Sequence, residues 1–263
     1  MGSATTQAVA ASTAALDAAP IADLGVAGEL FAAARTLSAS PQLRGALADS
    51  AAAPQARAKV VRDVYGSALS AQAIALMEVA AGQSWSSEDD FVTALEELAV
   101  RAATKADASA DVEGELFGFS RTVAANPDLE LALGSRMGAS EAKGSLVESL
   151  LRGRASEATV LIASSLIREP RERRVRELLS WGMRLAAAQH GRTVATVYSA
   201  APLSAAQSER LSNALAAKYG TPVSLNSVID PTVVGGLRVQ VADDVIDASV
   251  SARLADLRRR LAG

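Results

Sequence analysis

The stretch "VAGELFAAARTLSASPQLRGAL" at residues 26–47 returns as "VEGELFGFSRTVAANPDLELAL" at residues 112–133. Val26 pairs with Val112, Gly28-Glu29-Leu30-Phe31 with Gly114-Glu115-Leu116-Phe117, Arg35-Thr36 with Arg121-Thr122, and Pro41 with Pro127. The offset is 86 positions throughout. About half of the aligned positions are identical, more than chance gives even in an Ala-rich chain. Self-similarity at a fixed period marks a copied supersecondary unit, so both copies must adopt the same local fold.

That fold is helical. Leu24, Ala27, Leu30, Phe31, Ala34 and Leu37 recur at the spacing that puts them on one helical stripe. A second helix should begin at Pro41 and again at Pro127, because proline suits the first turn, where its missing N–H is not needed. "APQARAKVVRDVYG" and "ASEAKGSLVESLLRG" read as amphipathic helices with Gly66 and Gly153 as stops. "SAQAIALMEVAAG" and "SEATVLIASSLI" are apolar on nearly all sides and belong at the centre of each bundle. A long closing helix is expected at about 87–107 and again at about 171–189, the second burying Val175, Leu178, Leu179, Gly182 and Leu185.

The last quarter changes character. "RTVATVYSA" at 192–200 is β-branched and reads as a strand. Ser204 and Gln207 have capping-box spacing for a helix that Gly220 and Pro222 should end. "PVSLNSVID" is a second strand. In "GGLRVQVADDVID" Leu237, Val239 and Val241 alternate, with Asp243-Asp244 as a turn into a return strand. A final helix should carry Val250, Leu254, Leu257 and Leu261 on a buried stripe. The fold class is therefore mainly α: two tandem helical-bundle repeats and a small α+β C-terminal module. The divisions fall at 1–108 for the first repeat, 109–190 for the second bundle, and 191–263 for the module.

Composition closes off much chemistry. The chain has no Cys and a single His, His190, so thiolate sites, disulfides, His metal clusters and His-based triads are excluded. A net charge of −3 argues against wholesale binding to nucleic acid or anionic lipid. No apolar run is long enough to cross a bilayer, and the N-terminus does not read as a signal peptide. "GSRMGASEAKGS" at 134–145 lacks the Gly-Lys-Ser/Thr order of a phosphate loop and reads as a loop with Lys143 exposed. His190 suits a helix end, where a cation-capable side chain meets the helix dipole, and Trp85 and Trp181 read as core. No catalytic, cofactor-binding or metal-binding residue is assigned.

"YSAAPLSAAQSERLSNALAAKYG" followed by "VIDPTVVGGLRVQVADDVIDASVSARLADLRRRL" resembles the C-terminal region of the δ subunit of bacterial F-type ATP synthase, whose mitochondrial counterpart is the oligomycin-sensitivity-conferring protein. The residues that carry the resemblance are Asp230, the Gly235-Gly236 pair, the alternating valines, and Val245-Ile246-Asp247. The likeness extends upstream to about residue 110, and the extra N-terminal copy resembles the long actinobacterial form. Two positions depart: Ala242 and Ala248 stand where the family usually has Gly. The resemblance implies a stator role in the peripheral stalk, at the cytoplasmic face of the plasma membrane, with membrane association only through the complex. Its implied partners are α-subunit N-termini of the α3β3 head and the b-subunit stalk, with no nucleic acid and no cofactor.

A competing reading comes from "REPRERRVRELLSWGMR". Arg168, Arg171, Arg173, Arg174 and Arg176 form a basic run interleaved with Glu169, Glu172 and Glu177. The bland expectation is a solvated helix face with internal ion pairs. The alternative is a nucleic-acid-binding or adaptor bundle docking through this run. The acidic overall balance and the absence of stacking aromatics nearby weigh against it.

Overall fold

In the computed structural model the helical region opens with α1 (Ser3–Ala18), after which a run of five helices appears twice. The first run is α2 (Gly25–Ala39), α3 (Pro41–Ala48), α4 (Pro54–Tyr65), α5 (Ala71–Gly82) and α6 (Glu88–Ala106). The second is α7 (Val112–Ala125), α8 (Pro127–Gly134), α9 (Ser140–Leu151), α10 (Glu157–Arg168) and α11 (Val175–Gln189). The structure describes residues 2–135, 138–241, 244–250, 253, 254 and 259.

The two runs are built by the same local chemistry. Pro41 and Pro127 open α3 and α8. The Ser70 and Ser156 hydroxyls cap α5 and α10 by accepting from the amides of Ala73 and Thr159. Glu29 then accepts from both the amide and the hydroxyl of Ser70, at 2.9 and 2.6 Å. Glu115 does the same to Ser156, again at 2.9 and 2.6 Å. The glutamate of the repeated "GELF" thus latches the first helix of each run to the cap of the fourth. Leu30, Phe31 and Leu37 lie in the first core, and Leu116, Phe119 and Val123 line the second. Each such side chain contributes about 1.5–3 kcal/mol by leaving water.

One helix serves both copies. α6 closes the first copy against α2, α3 and α5, and it also packs on α10 of the second. α10 is the counterpart of α5, and α5 packs on α1. α6 therefore stands to the second copy as α1 stands to the first. Burial follows from this: α1 buries one stripe, Thr5, Ala8, Ser12 and Leu16, whereas α6 buries residues around its circumference, from Phe91 and Leu95 to Glu96, Val100 and Thr104. Residues Met1–Ala186 accordingly form one compact unit, and Ala187–Gly263 forms another.

The second closing helix starts later than expected. Pro170 and left-handed backbone at Arg171 (φ 46°) and Glu172 (φ 68°) make a turn of the region, and α11 begins only at Val175. Its expected face of Val175, Leu178, Leu179, Gly182 and Leu185 is buried.

The C-terminal unit holds β1 (Thr193–Ser199), α12 (Ala205–Tyr219), β2 (Val223–Ile229), β3 (Leu237–Val241) and β4 (Asp244–Asp247). The sheet order is β2-β1-β3-β4. β1 and β2 are parallel, joined by α12, and the other pairs are antiparallel. The capping box at Ser204 and Gln207 is present, and Gly220 ends α12 in the left-handed region at φ 74°. α12 covers one sheet face over a core of Ala195, Val197, Leu215, Val223, Val239 and Val241. Asp243 of the expected Asp243-Asp244 turn, Ala242 before it, and Leu257 and Leu261 of the expected last stripe lie outside the described residues, and Asp244 already opens β4. Val250, Arg253, Leu254 and Arg259 are helical. Val250 and Leu254, expected inside, are exposed.

Candidate functional site

Four of the five arginines of the basic run are paired within the helical unit, and Arg174 is exposed with no ion pair among the described residues. Arg168 pairs with Glu148 at 2.6 Å and Glu141 at 3.2 Å, both on α9. Arg171 reaches α6, donating to the Thr93 hydroxyl at 3.0 Å and pairing with Asp89 at 3.3 Å. Arg173 pairs with Glu96 at 2.6 Å while its guanidinium lies 4.7 Å from the centre of the Trp181 ring. Arg176 pairs with Glu130 at 2.8 Å. The expectation of a solvated face paired along its own helix is corrected here. The left-handed turn at Arg171 and Glu172 takes Arg171 and Arg173 off the helix and aims them at carboxylates of α6, while Arg168 on α10 and Arg176 on α11 reach α9 and α8.

The centre of this clamp is Glu96, whose side chain is only 5% exposed. Burial pushes its carboxyl upward, and Arg173 and Arg171 oppose that shift by favouring the anion. A buried carboxylate between two arginines fixes the turn after α10 to the shared helix and engages Arg171 and Arg173 inside the unit.

The resemblance-bearing residues gather at one end of the C-terminal unit. Asp230 follows β2 and accepts from the Thr232 amide at 2.9 Å and hydroxyl at 2.6 Å. These bonds hold its carboxyl below the usual range. Arg238, on β3, stands 3.8 Å from Asp230, opposite Asp247 in register, with its guanidinium 4.5 Å from the centre of the Tyr198 ring. Hydrogen bonds from the Ser249 hydroxyl and from its amide, the latter at 2.9 Å, likewise hold the Asp247 carboxyl below its usual pKa. Gly235 and Gly236 both have left-handed backbone, at φ 64° and 77°. A Cβ on Gly236 would lie 2.4 Å from the Ala248 carbonyl oxygen. The pair lets the loop press onto residues 248–250, where Gly235 accepts from the Val250 amide at 3.1 Å. Ile246 packs toward the core, whereas Val245 points to solvent.

The remaining singled-out residues have structural settings. Trp85 is buried, donates to the Ala80 carbonyl at 2.9 Å, and meets Phe91 at 5.6 Å between ring centres. Lys143, expected on the surface, is buried on α9 and donates to the Ser135 carbonyl. His190 is half-buried between α11 and Gly191. Sequence reasoning missed the Glu29–Ser70 and Glu115–Ser156 latches, although their matched spacing across the 86-residue offset was a signal. It also missed an exposed apolar set on the C-terminal unit: Ile229, Val234 (65% exposed), Val245, Val250 and Leu254.

The family model described as ATP synthase delta (OSCP) subunit matches residues 91–261. The match starts inside α6, so the family pattern takes up the shared helix together with the second copy. The ATP synthase subunit delta of Leifsonia xyli subsp. xyli is 48% identical over 265 residues, covering 100% of each chain. That of Streptomyces avermitilis is 42% identical over 241 residues, covering 90% of this chain and 88% of its own. A solved chain of the Toxoplasma gondii mitochondrial ATP synthase hexamer aligns to 64% of this chain and 98% of its own, at 23% identity and a TM-score of 0.37.

Proposed function

Since this chain belongs to the ATP synthase delta (OSCP) subunit family, and is a peripheral-stalk component of an F-type synthase, we propose that its two compact units hold different partners. The helical unit grips the N-terminal segments of α subunits in the catalytic head, with the second bundle, about 109–190, as the principal contact and the first repeat, 1–108, as a brace. The module at 191–263 holds the end of the b subunit. Asp230, Gly235, Gly236, Val245, Ile246 and Asp247 shape that end rather than perform chemistry. The chain itself is non-catalytic, takes no cofactor, and sits peripherally at the cytoplasmic face of the plasma membrane through the complex.

The observation that carries this reading is the exposed apolar set beside the Gly235-Gly236 loop. Val234 adjoins that loop in sequence and Val250 in contact, and exposed apolar side chains grouped in this way mark surfaces that partners cover. No described helix is long and apolar enough to cross a membrane, which agrees with attachment through other subunits.

The test is truncation at Gly191. The shortened chain should still bind the head and fail to bind the cytoplasmic part of b. In reconstituted membranes ATP hydrolysis should persist while proton pumping falls, because an untethered head turns with the rotor. Capture of b by the truncated chain, with coupled pumping intact, would overturn the assignment.

A further inference from the structure

The C-terminal unit contains a pocket of about 660 Å³ at the carboxyl end of β1. Its walls are the segment from Ser199 to Leu203 that leaves β1, the entry of β3 at Gly235–Leu237, and Gln207, Arg210 and Leu211 of α12. Topology explains the position. From β1 the chain goes through α12 to β2 on one side, whereas β3 pairs on the other side. The segment that leaves β1 and the segment that enters β3 part at this end of the sheet, and the crevice lies between them and α12.

The lining states a chemistry. Leu203, Leu211, Leu237 and Pro202 make apolar walls, and Gly235 and Gly236 offer a stretch of wall without side chains. Arg210 is the one cation in the lining. It is exposed and forms no ion pair among the described residues, whereas Lys218 pairs with Asp244 and Arg238 stands beside Asp230. An unpaired guanidinium beside apolar walls suits a carboxylate attached to an apolar group. The pocket is also continuous with the exposed apolar set. Val234 precedes Gly235 in the chain, and Val250 lies against Gly235, 3.0 Å from where a Cβ would stand.

We propose that this pocket receives an acidic, apolar segment of the stalk subunit, with an apolar side chain between Leu203, Leu211 and Leu237 and a carboxylate on Arg210. The proposal rests on the reading of the C-terminal unit as the stalk contact. It adds the subsite and the chemistry of the segment that enters it.

Full-length chain is titrated with the purified cytoplasmic segment of b, in parallel with Arg210→Glu, Arg210→Lys and Ala201→Trp. Circular dichroism checks that each variant is folded. Charge reversal at Arg210 should weaken binding at least tenfold, about 1.4 kcal/mol. The lysine variant should recover part of that loss. Trp at exposed Ala201 should block the mouth with a similar penalty, and capture of the head should be unchanged in all three. Wild-type binding should fall more steeply with added salt than that of Arg210→Glu. If Arg210→Glu and Ala201→Trp both bind b like wild type, the pocket is not the subsite, while the stalk reading stands. Sensitivity to charge with indifference to Ala201→Trp would also overturn the pocket. So would Arg210-dependent pelleting with anionic vesicles in place of b binding. A wild-type chain that does not bind b overturns the stalk reading and the subsite with it.

Discussion

Glu96 shows how much one side chain can organise. It is buried on α6 and paired with Arg173 at 2.6 Å and Arg171 at 3.6 Å. Removing one partner of a buried pair leaves an uncompensated charge, so Glu96→Ala should destabilise the helical unit by about 3 kcal/mol. In a double-mutant cycle Glu96→Ala and Arg173→Ala should couple strongly, the second change recovering part of the first loss. Denaturant unfolding followed by tryptophan fluorescence reads both; coupling below about 0.5 kcal/mol would remove the clamp from the account. The arginine run was visible in the sequence as charge. Its partners were not, because Asp89 and Glu96 lie nearly one whole repeat upstream, and nothing local distinguishes an arginine aimed at solvent from one aimed at a distant carboxylate. The left-handed turn at Arg171 and Glu172 was equally hidden, since neither residue type favours that backbone.

At the scale of single elements, legibility followed how local the determining chemistry is. The α12 capping box and its glycine stop were readable from residues three or four positions apart, as were the proline starts of α3 and α8. The helix at Val250 and Leu254 was read correctly, but their burial was not, because an apolar stripe shows only that a helix has something to cover. It does not show whether the cover comes from the same chain, and Val250 and Leu254 remain open. The loop that abuts this helix gives a sharper test. Gly236→Ala places a methyl 2.4 Å from the Ala248 carbonyl oxygen at φ 77°. The loop must then withdraw, and the C-terminal unit should lose about 2–3 kcal/mol. Two-dimensional NMR should show the loss as selective broadening or unfolding of β3 and β4 signals, with those of α2 to α6 unmoved. Unchanged β3 and β4 spectra and stability would mean that the loop tolerates a side chain.

For the whole molecule, the duplication was legible but the sharing of α6 was not. A sequence alignment assigns each residue to one copy, whereas packing can assign a helix to two. The sharing dictates where the chain can be cut. Deleting residues 2–86 keeps α6 for the second copy, and the remainder should melt cooperatively by circular dichroism. Deleting residues 2–106 takes α6 away, and the second copy should lose its cooperative transition, because the face of α10 that packs on α6 is left bare. Equally sharp melting of both variants would show that the second copy closes without the shared helix. The eleven helices α1 to α11 amount to five per copy and one leading helix. In genetic terms, the inherited unit is an open segment that borrows its first wall from whatever precedes it. An in-register crossover that gains or loses one such segment still leaves every helix with a neighbour. A lineage can therefore lengthen or shorten this part of the protein in a single step, without passing through an ancestor that cannot fold.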